Sequence, residues 1–282
     1  MNGLKHCASI DLEDWYFDVE HVVPSDSVAF AQAFDRQLNR VESILEEAGV
    51  RCTFFALGRT AERYPHWIKR LHAAGHEIGT HGYGHDRLPM LNAISFRSDV
   101  RRSLDVIADL IGTRPKGYRA PYFSLGAAQS WAYEILADEG LRYSSSALPV
   151  RRDHVNAHPL APIRITTASG TLVEMPASVI QIAGRRLPIA GGGFWRALPR
   201  IVIDVAARRI AHEGRALVLY LHPHEFDPEN LRSHKGMARN VYVNFGRRSV
   251  AQKLQFILKR FQFAPMAAVV AGLEAIPEKV MT

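Results

Sequence analysis

The sequence predicts an α/β fold, a barrel or distorted barrel made as a single domain, and three observations carry that reading. Seven short runs rich in β-branched and aromatic residues alternate with longer amphipathic stretches, the pattern of repeated βα units. A glycine closes nearly every amphipathic stretch, as helix ends require. Residues able to do chemistry collect where the apolar runs stop, and barrels carry their sites on the loops at the C-terminal ends of strands. An open doubly wound sheet is the alternative, since it too places sites at strand ends.

In chain order the strand candidates are "CASIDLED", "RCTFFALG", "HEIGTHG", "KGYRAPYF", "LRYSSSAL", "LVEMPASV" and "ALVLYLHPHEF". Between them, residues 27–48 carry apolar positions three and four apart and end at Gly49. "TAERYPHWIKRLHAAG" reads as one helix ending at Gly75, and "ISFRSDVRRSLDVIADLIG" as another ending at Gly112. "GAAQSWAYEILADEG", "ALPRIVIDVAARRIAHEG" and "RSVAQKLQFILKRFQ" complete the set. No low-complexity linker, charge block or repeat interrupts the alternation. "GGG" at 191–193 lacks the spacing of a phosphate loop and reads as a tight, close-packed turn.

Composition narrows the function classes. Hydrophobic residues make up 47% and charged residues 22% of the 282, which is ordinary globular composition. Net charge is +7 with a pI of about 9.6, but pairs such as Arg185–Arg186 and Arg208–Arg209 are scattered, with no basic and aromatic platform, so nucleic acid is not an expected partner. Cys7 and Cys52 sit in apolar runs as buried thiols and build no disulfide framework. The N-terminus lacks the pattern of a secretory signal and no run reaches the length of a membrane span. A cytoplasmic protein with no integral membrane segment is expected; oligomeric state is not legible.

Four stretches carry the chemistry. "HEIGTHGYGH" at 76–85 places His81 and His85 four apart, and paired neutral imidazoles are common metal ligands. "SIDLEDW" ends an apolar run with Asp11, Glu13 and Asp14; buried carboxylates need a cation as partner. One of them would complete a set of two histidines and a carboxylate, leaving positions open for water and substrate, and a second would serve as base. Strand alternation points Asp11 and Glu13 one way and Asp14 the other. In "KGYRAPYF", Arg119 is placed to pair with the base carboxylate, and Pro121 fixes a loop whose next N–H, that of Tyr122, can face a developing oxyanion. "LVLYLHPHEFDP" brings His222 to a strand end, where it can protonate a leaving amine; His224, Glu225 and Asp227 follow as candidates to orient it or line the cleft. Trp15, Tyr16, Tyr122, Phe123, Phe194 and Trp195 are candidates for a sugar-stacking floor.

Taken in order, "SIDLED", "THGYGH", "YRAPY" and "LYLHP" resemble the motifs of the polysaccharide deacetylases with the NodB homology domain, carbohydrate esterase family 4, over about residues 6–226. "GGGFWRALP", "LHPHEFDP" and "VYVNFG" look like the subgroup found in exopolysaccharide loci beside exosortase systems. The resemblance implies a distorted (β/α)7 barrel, a divalent metal, zinc in the first place, and hydrolysis of N-acetyl groups on amino sugars of a polysaccharide or its precursor. Carried over, Asp11 looks like the base, His81 and His85 like metal ligands, Arg119 like the residue that holds the base, the Tyr122 N–H like an oxyanion donor and His222 like the general acid. The family's adjacent aspartates are replaced here by Asp-Leu-Glu-Asp, so the third ligand is Glu13 or Asp14, with strand parity and relatives that carry an acid two positions on favouring Glu13. The family's fourth motif, an aspartate and tryptophan that orient the acid, is absent; "RYSSSALP" stands in that region. The domain expected is 1–282, with its core motifs in 6–226 and a C-terminal helical extension over 227–282. A related amidohydrolase on a cyclic amide or imide and a non-catalytic polysaccharide-binding module are the competing functions.

Overall fold

The computed structural model describes residues 5–20, 27–150, 160–233, 235–273 and 276–280. All seven expected strands form: β1 (Cys7–Leu12), β2 (Thr53–Ala56), β3 (Glu77–Thr80), β4 (Gly117–Tyr118), β5 (Tyr143–Ser144), β7 (Gly170–Glu174) and β10 (Val218–Leu221). They lie in one sheet in the order β10-β1-β2-β3-β4-β5-β7, parallel throughout. Two further strands extend that edge. β6 (Ile163–Thr167) pairs antiparallel with β7, and β11 (Glu278–Val280) pairs parallel with β6.

The sheet curls without a continuous ladder between its two edges. Ser178, just past β7, bridges the gap: its N–H donates to the Val218 carbonyl and its hydroxyl accepts from the Val218 N–H. Gly191 then pairs with Tyr220. A Cβ on Gly191 would stand 1.6 Å from the Tyr220 carbonyl oxygen, so only glycine allows this approach. This is the distorted barrel, with the "GGG" turn as the close-packed seam.

Helices cover the outside. α1 (Ser27–Glu47), α2 (Gly58–Arg63), α3 (Pro65–Ala73), α4 (Ala93–Ile111) and α5 (Trp131–Asp138) follow the strands. "TAERYPHWIKRLHAAG" is two helices and not one. Pro65 cannot donate to the ladder and restricts Tyr64, which leaves helical geometry at φ −126°, ψ 56°. α4 ends at Gly112 in the left-handed region, φ 75°, a conformation that glycine adopts without steric cost. A hairpin, β8 (Val179–Ile182) with β9 (Arg185–Pro188), leads into α6 (Gly192–Ala197) and α7 (Arg200–His212). The C-terminal segment forms α8 (Met237–Asn244), α9 (Val250–Leu258) and α10 (Met266–Ala271), and beyond these helices it supplies β11 to the sheet edge. α9 packs Val250, Leu254 and Ile257 into the principal core with Phe34, Phe54, Trp67 and Trp195. Each such side chain contributes about 1.5–3 kcal/mol on burial. No described helix is long and apolar enough to cross a membrane.

Register fixes where the chemistry falls. Leu12 pairs with Ala56, Ala56 with Thr80, Thr80 with Tyr118, and Tyr118 with Ser144. The residues that follow, Glu13, His81, Arg119 and Ser145, therefore emerge at one level. On the other side Ile10 pairs with Leu221, which sets Asp11 beside His222.

Candidate active site

Arg119 is fully buried and all three nitrogens of its guanidinium donate hydrogen bonds. Nε donates to the Ser145 carbonyl at 2.9 Å, Nη2 to Ser145 Oγ at 2.8 Å, and Nη1 to Ser9 Oγ at 2.7 Å and Asp11 Oδ1 at 2.6 Å. Its planar faces lie 4.3 Å and 5.3 Å from the ring centroids of Phe55 and Phe123. A charge with this many partners is held rigidly, and Asp11 is held with it.

Glu13, His81 and His85, all buried, each offer a ligand atom, and these atoms lie within 4.8 Å of one another. Glu13 Oε2 stands 2.7 Å from His85 Nε2 and 4.0 Å from His81 Nε2. His81 Nδ1 faces the Arg119 carbonyl at 2.8 Å, and His85 Nδ1 faces the Asp18 carbonyl at 3.3 Å. A carbonyl only accepts, so both Nδ1 atoms carry hydrogen and both Nε2 atoms point at the carboxylate, the tautomer that metal-bound imidazoles keep. Burial lowers His81 to about 4, so it is neutral. Burial opposes ionisation of Glu13, but His85 and His222 beside it hold it below the usual carboxylate range. A neutral imidazole, a second imidazole and an ionised carboxylate converging on one point suit a divalent cation.

Asp14 is outside this cluster. Its Oδ1 accepts from the N–H groups of Tyr16 and Phe17, and its Oδ2 from Tyr64 Oη at 2.6 Å. It caps the turn at Trp15–Val19. Asp18 in that turn accepts from Arg59 Nε and Thr60 Oγ1, which fixes the carbonyl that orients His85. Sequence reading missed Asp18, since nothing local distinguishes it from an acidic loop residue.

His222 Nε2 lies 4.0 Å from Asp11 Oδ2 and 3.5 Å from Glu13 Oε1. Glu225 resolves what holds the histidine. Its Oε2 accepts from the His222 N–H at 3.0 Å and stands 3.3 Å from His222 Nδ1, while Oε1 faces Arg196 Nε at 3.7 Å. Burial alone would lower the His222 pKa, but Glu13 and Glu225 outweigh it and raise it to about 9. His224 stacks between His222 and Trp15, at ring distances of 5.2 Å and 4.6 Å. Asp227 turns away to Arg36 and Gln37.

Tyr122 and Phe123 have φ of 58° and 50°, a left-handed conformation costly for such residues and concentrated at functional loops. The Tyr122 ring lies 4.5 Å from that of His85. A cleft of about 360 Å³ opens above these groups, and of the aromatics expected to floor it Trp15, Tyr122 and Phe123 do line it. Trp195 is core, donating to the Ile189 carbonyl, and Tyr16 and Phe194 stand off the cleft; Tyr242 of α8 takes their place.

The fold and this rim define a NodB-like distorted barrel. A crystal structure of a putative polysaccharide deacetylase from Mycobacterium smegmatis superimposes at a TM-score of 0.65 with 21% identity, over 100% of this chain and 96% of that one. An allantoinase superimposes equally, at 0.65 with 15% identity over 96% and 91%. Residues 27–143 match the polysaccharide deacetylase family model, and residues 145–271 match a domain of unknown function, DUF3473. A peptidoglycan-N-acetylglucosamine deacetylase of Bacillus cereus is 36% identical over 91 residues, 32% of this chain and 33% of that protein. The chain spans about a third of the length of the curated relatives it matches first.

Proposed function

We propose that this protein is a metal-dependent hydrolase that removes N-acetyl groups from amino sugars of a polysaccharide or its precursor, in exopolysaccharide biosynthesis. The observation that carries the reading is the convergence of Glu13, His81 and His85 within 4.8 Å, beside a carboxylate and an imidazole that each have one face on the cleft. Glu13, His81 and His85 would hold the cation, zinc by the character of the donors. When bound, it would supply a Lewis acid that polarises the acetamide carbonyl and acidifies a water.

The chain's own groups do the rest. Arg119 occupies Oδ1 of Asp11, so Oδ2 takes the proton of the attacking water. The Tyr122 N–H, presented by the strained turn after Pro121, donates to the oxygen on which charge develops. His222, positioned by Glu225, gives its Nε2 proton to the sugar nitrogen as the carbon–nitrogen bond breaks, leaving acetate and a free amine. Without that proton the amine is a poor leaving group. The open, aromatic-lined cleft suits a sugar chain better than a small cyclic amide.

The test is acetate release from N-acetylhexosamine oligomers by protein of measured metal content, alongside ring opening of allantoin. Acetate release that is lost in His81→Ala supports the reading. Ring opening without acetate release overturns it in favour of an amidohydrolase on cyclic amides, and no turnover with no bound metal favours a binding module.

A further inference from the structure

One wall of the cleft holds polar groups that the reaction does not use. Among the described residues, the buried atoms Trp15 Nε1, Arg239 Nε and His224 Nδ1 find no hydrogen-bond partner. All three residues line the cleft, together with Tyr242. The Arg239 guanidinium lies 5.3 Å from the Trp15 ring and 5.7 Å from the Tyr242 ring, and the Arg196 guanidinium lies 5.1 Å from the Tyr242 ring. Among the described residues Arg239 has one carboxylate near it, Glu20, at 3.6 Å, which Lys235 and Ser233 also serve. Buried donors without partners cost stability, and here the partly exposed Arg239 guanidinium stands near both the Trp15 ring and the half-exposed Tyr242 ring. That is the equipment for an anionic sugar: a ring to stack on and donors for its charge.

We propose that this wall is a subsite for a carboxylated sugar, such as a uronic acid, next to the N-acetylated residue that is cleaved. This deepens the deacetylase reading and rests on it. Trp15 connects to the reacting centre through two ring contacts, 4.6 Å to His224 and 5.2 Å from His224 to His222, which places it beside the residue that is cleaved and not on it. A single carboxylate matches the one guanidinium fork that Arg239 presents along the cleft. A doubly charged phosphate fits less well, because Asp11, Glu13 and Glu225 already line the same cleft. The substrate class is therefore an alternating or mixed polymer of uronic acid and N-acetylhexosamine.

The experiment compares kcat/KM for acetate release from an alternating glucuronate–N-acetylglucosamine hexasaccharide and from the same oligomer with its carboxylates reduced to alcohols. The metal-loaded wild-type protein should favour the carboxylated oligomer about ten- to a hundredfold, the worth of one hydrogen-bonded charge pair. Arg239→Gln should bring that ratio close to one. Arg114→Gln, on the loop entering β4 at the opposite end of the barrel, should leave the ratio unchanged, which separates a subsite from the general attraction of a basic protein. Equal rates on both oligomers in wild type, or a ratio unmoved by Arg239→Gln, overturns the proposal. If neither oligomer releases acetate, the deacetylase reading fails, and calorimetric binding of the two oligomers decides the subsite: tighter binding of the carboxylated one, lost in Arg239→Gln, supports it, and equal binding overturns it.

Discussion

Arg119 holds Asp11 by one oxygen and leaves the other to the cleft. Nη1 donates to Oδ1 at 2.6 Å, and Oδ2 faces His222 Nε2, 4.0 Å away. The pair joins β4 to β1 through the centre of the barrel, so it bears on stability and on chemistry together. Removing either partner separates the two roles.

Arg119→Ala leaves a buried carboxylate unpaired and should cost about 3 kcal/mol or more in denaturant unfolding. Arg119→Lys should recover little, because one ammonium cannot reach Asp11, Ser9 and Ser145 as the guanidinium fork does. Asp11→Asn keeps a hydrogen-bond acceptor for Arg119 and should stay folded, while acetate release falls about a hundredfold or more. Full turnover in Asp11→Asn would remove it as the base.

The two acids that follow Asp11 should behave oppositely. Glu13→Ala should abolish stoichiometric metal binding, measured by elemental analysis after dialysis, and activity with it. Asp14→Ala should keep its metal and lose about 1–2 kcal/mol of stability, from the missing cap on Trp15–Val19 and the lost Tyr64 bond. Metal retained in Glu13→Ala, or lost in Asp14→Ala, would reverse the assignment of the third ligand.

Much of this rim was legible in the sequence because parallel register converts one-dimensional spacing into position. An apolar run that ends in Asp11, His81, Arg119 or His222 ends at the same height as its neighbours. Period-two alternation separated Glu13 from Asp14 for the same reason. What escaped is non-local. β6 lies between β7 and β11 in the added edge of the sheet, and β11 is held there by pairing with β6, more than a hundred residues away in sequence; neither short, polar-rich stretch carries a continuous apolar run. Asp18 acts through its backbone carbonyl, which no side-chain pattern encodes, and Tyr242 arrives on α8 from a segment expected only to extend the fold. Glu225 was visible as a neighbour of His222, but the contact depends on the turn after Pro223.

Glu225→Gln tests that contact. It removes a charge that raises His222, so the alkaline limb of kcat/KM, where His222 loses its proton, should move to lower pH, and kcat should fall while KM changes little. His222→Ala should keep its metal and lose turnover by about a hundredfold or more. An unmoved pH profile in Glu225→Gln would make Glu225 a purely structural neighbour.

Part of the acid sensitivity of the fold should come from histidines away from the cleft. His6 Nδ1 accepts from the Leu217 N–H at 3.0 Å, and His76 Nδ1 from the Cys52 N–H at 3.2 Å. Both are buried, and burial lowers each from 6.5 to about 4. Between those values the unfolded chain takes up protons that the folded chain refuses. Stability is thus full above pH 6.5 and falls as pH drops toward 4, by about 2 kcal/mol per group at pH 5. The guanidinium midpoint of the wild-type protein should therefore be clearly lower at pH 5 than at pH 7. Asparagine places its side-chain oxygen near the Nδ1 position and does not titrate, so the double variant His6→Asn, His76→Asn should start from a lower midpoint yet lose less of it between the two pH values. A double variant that keeps the whole drop would assign the acid sensitivity to other groups.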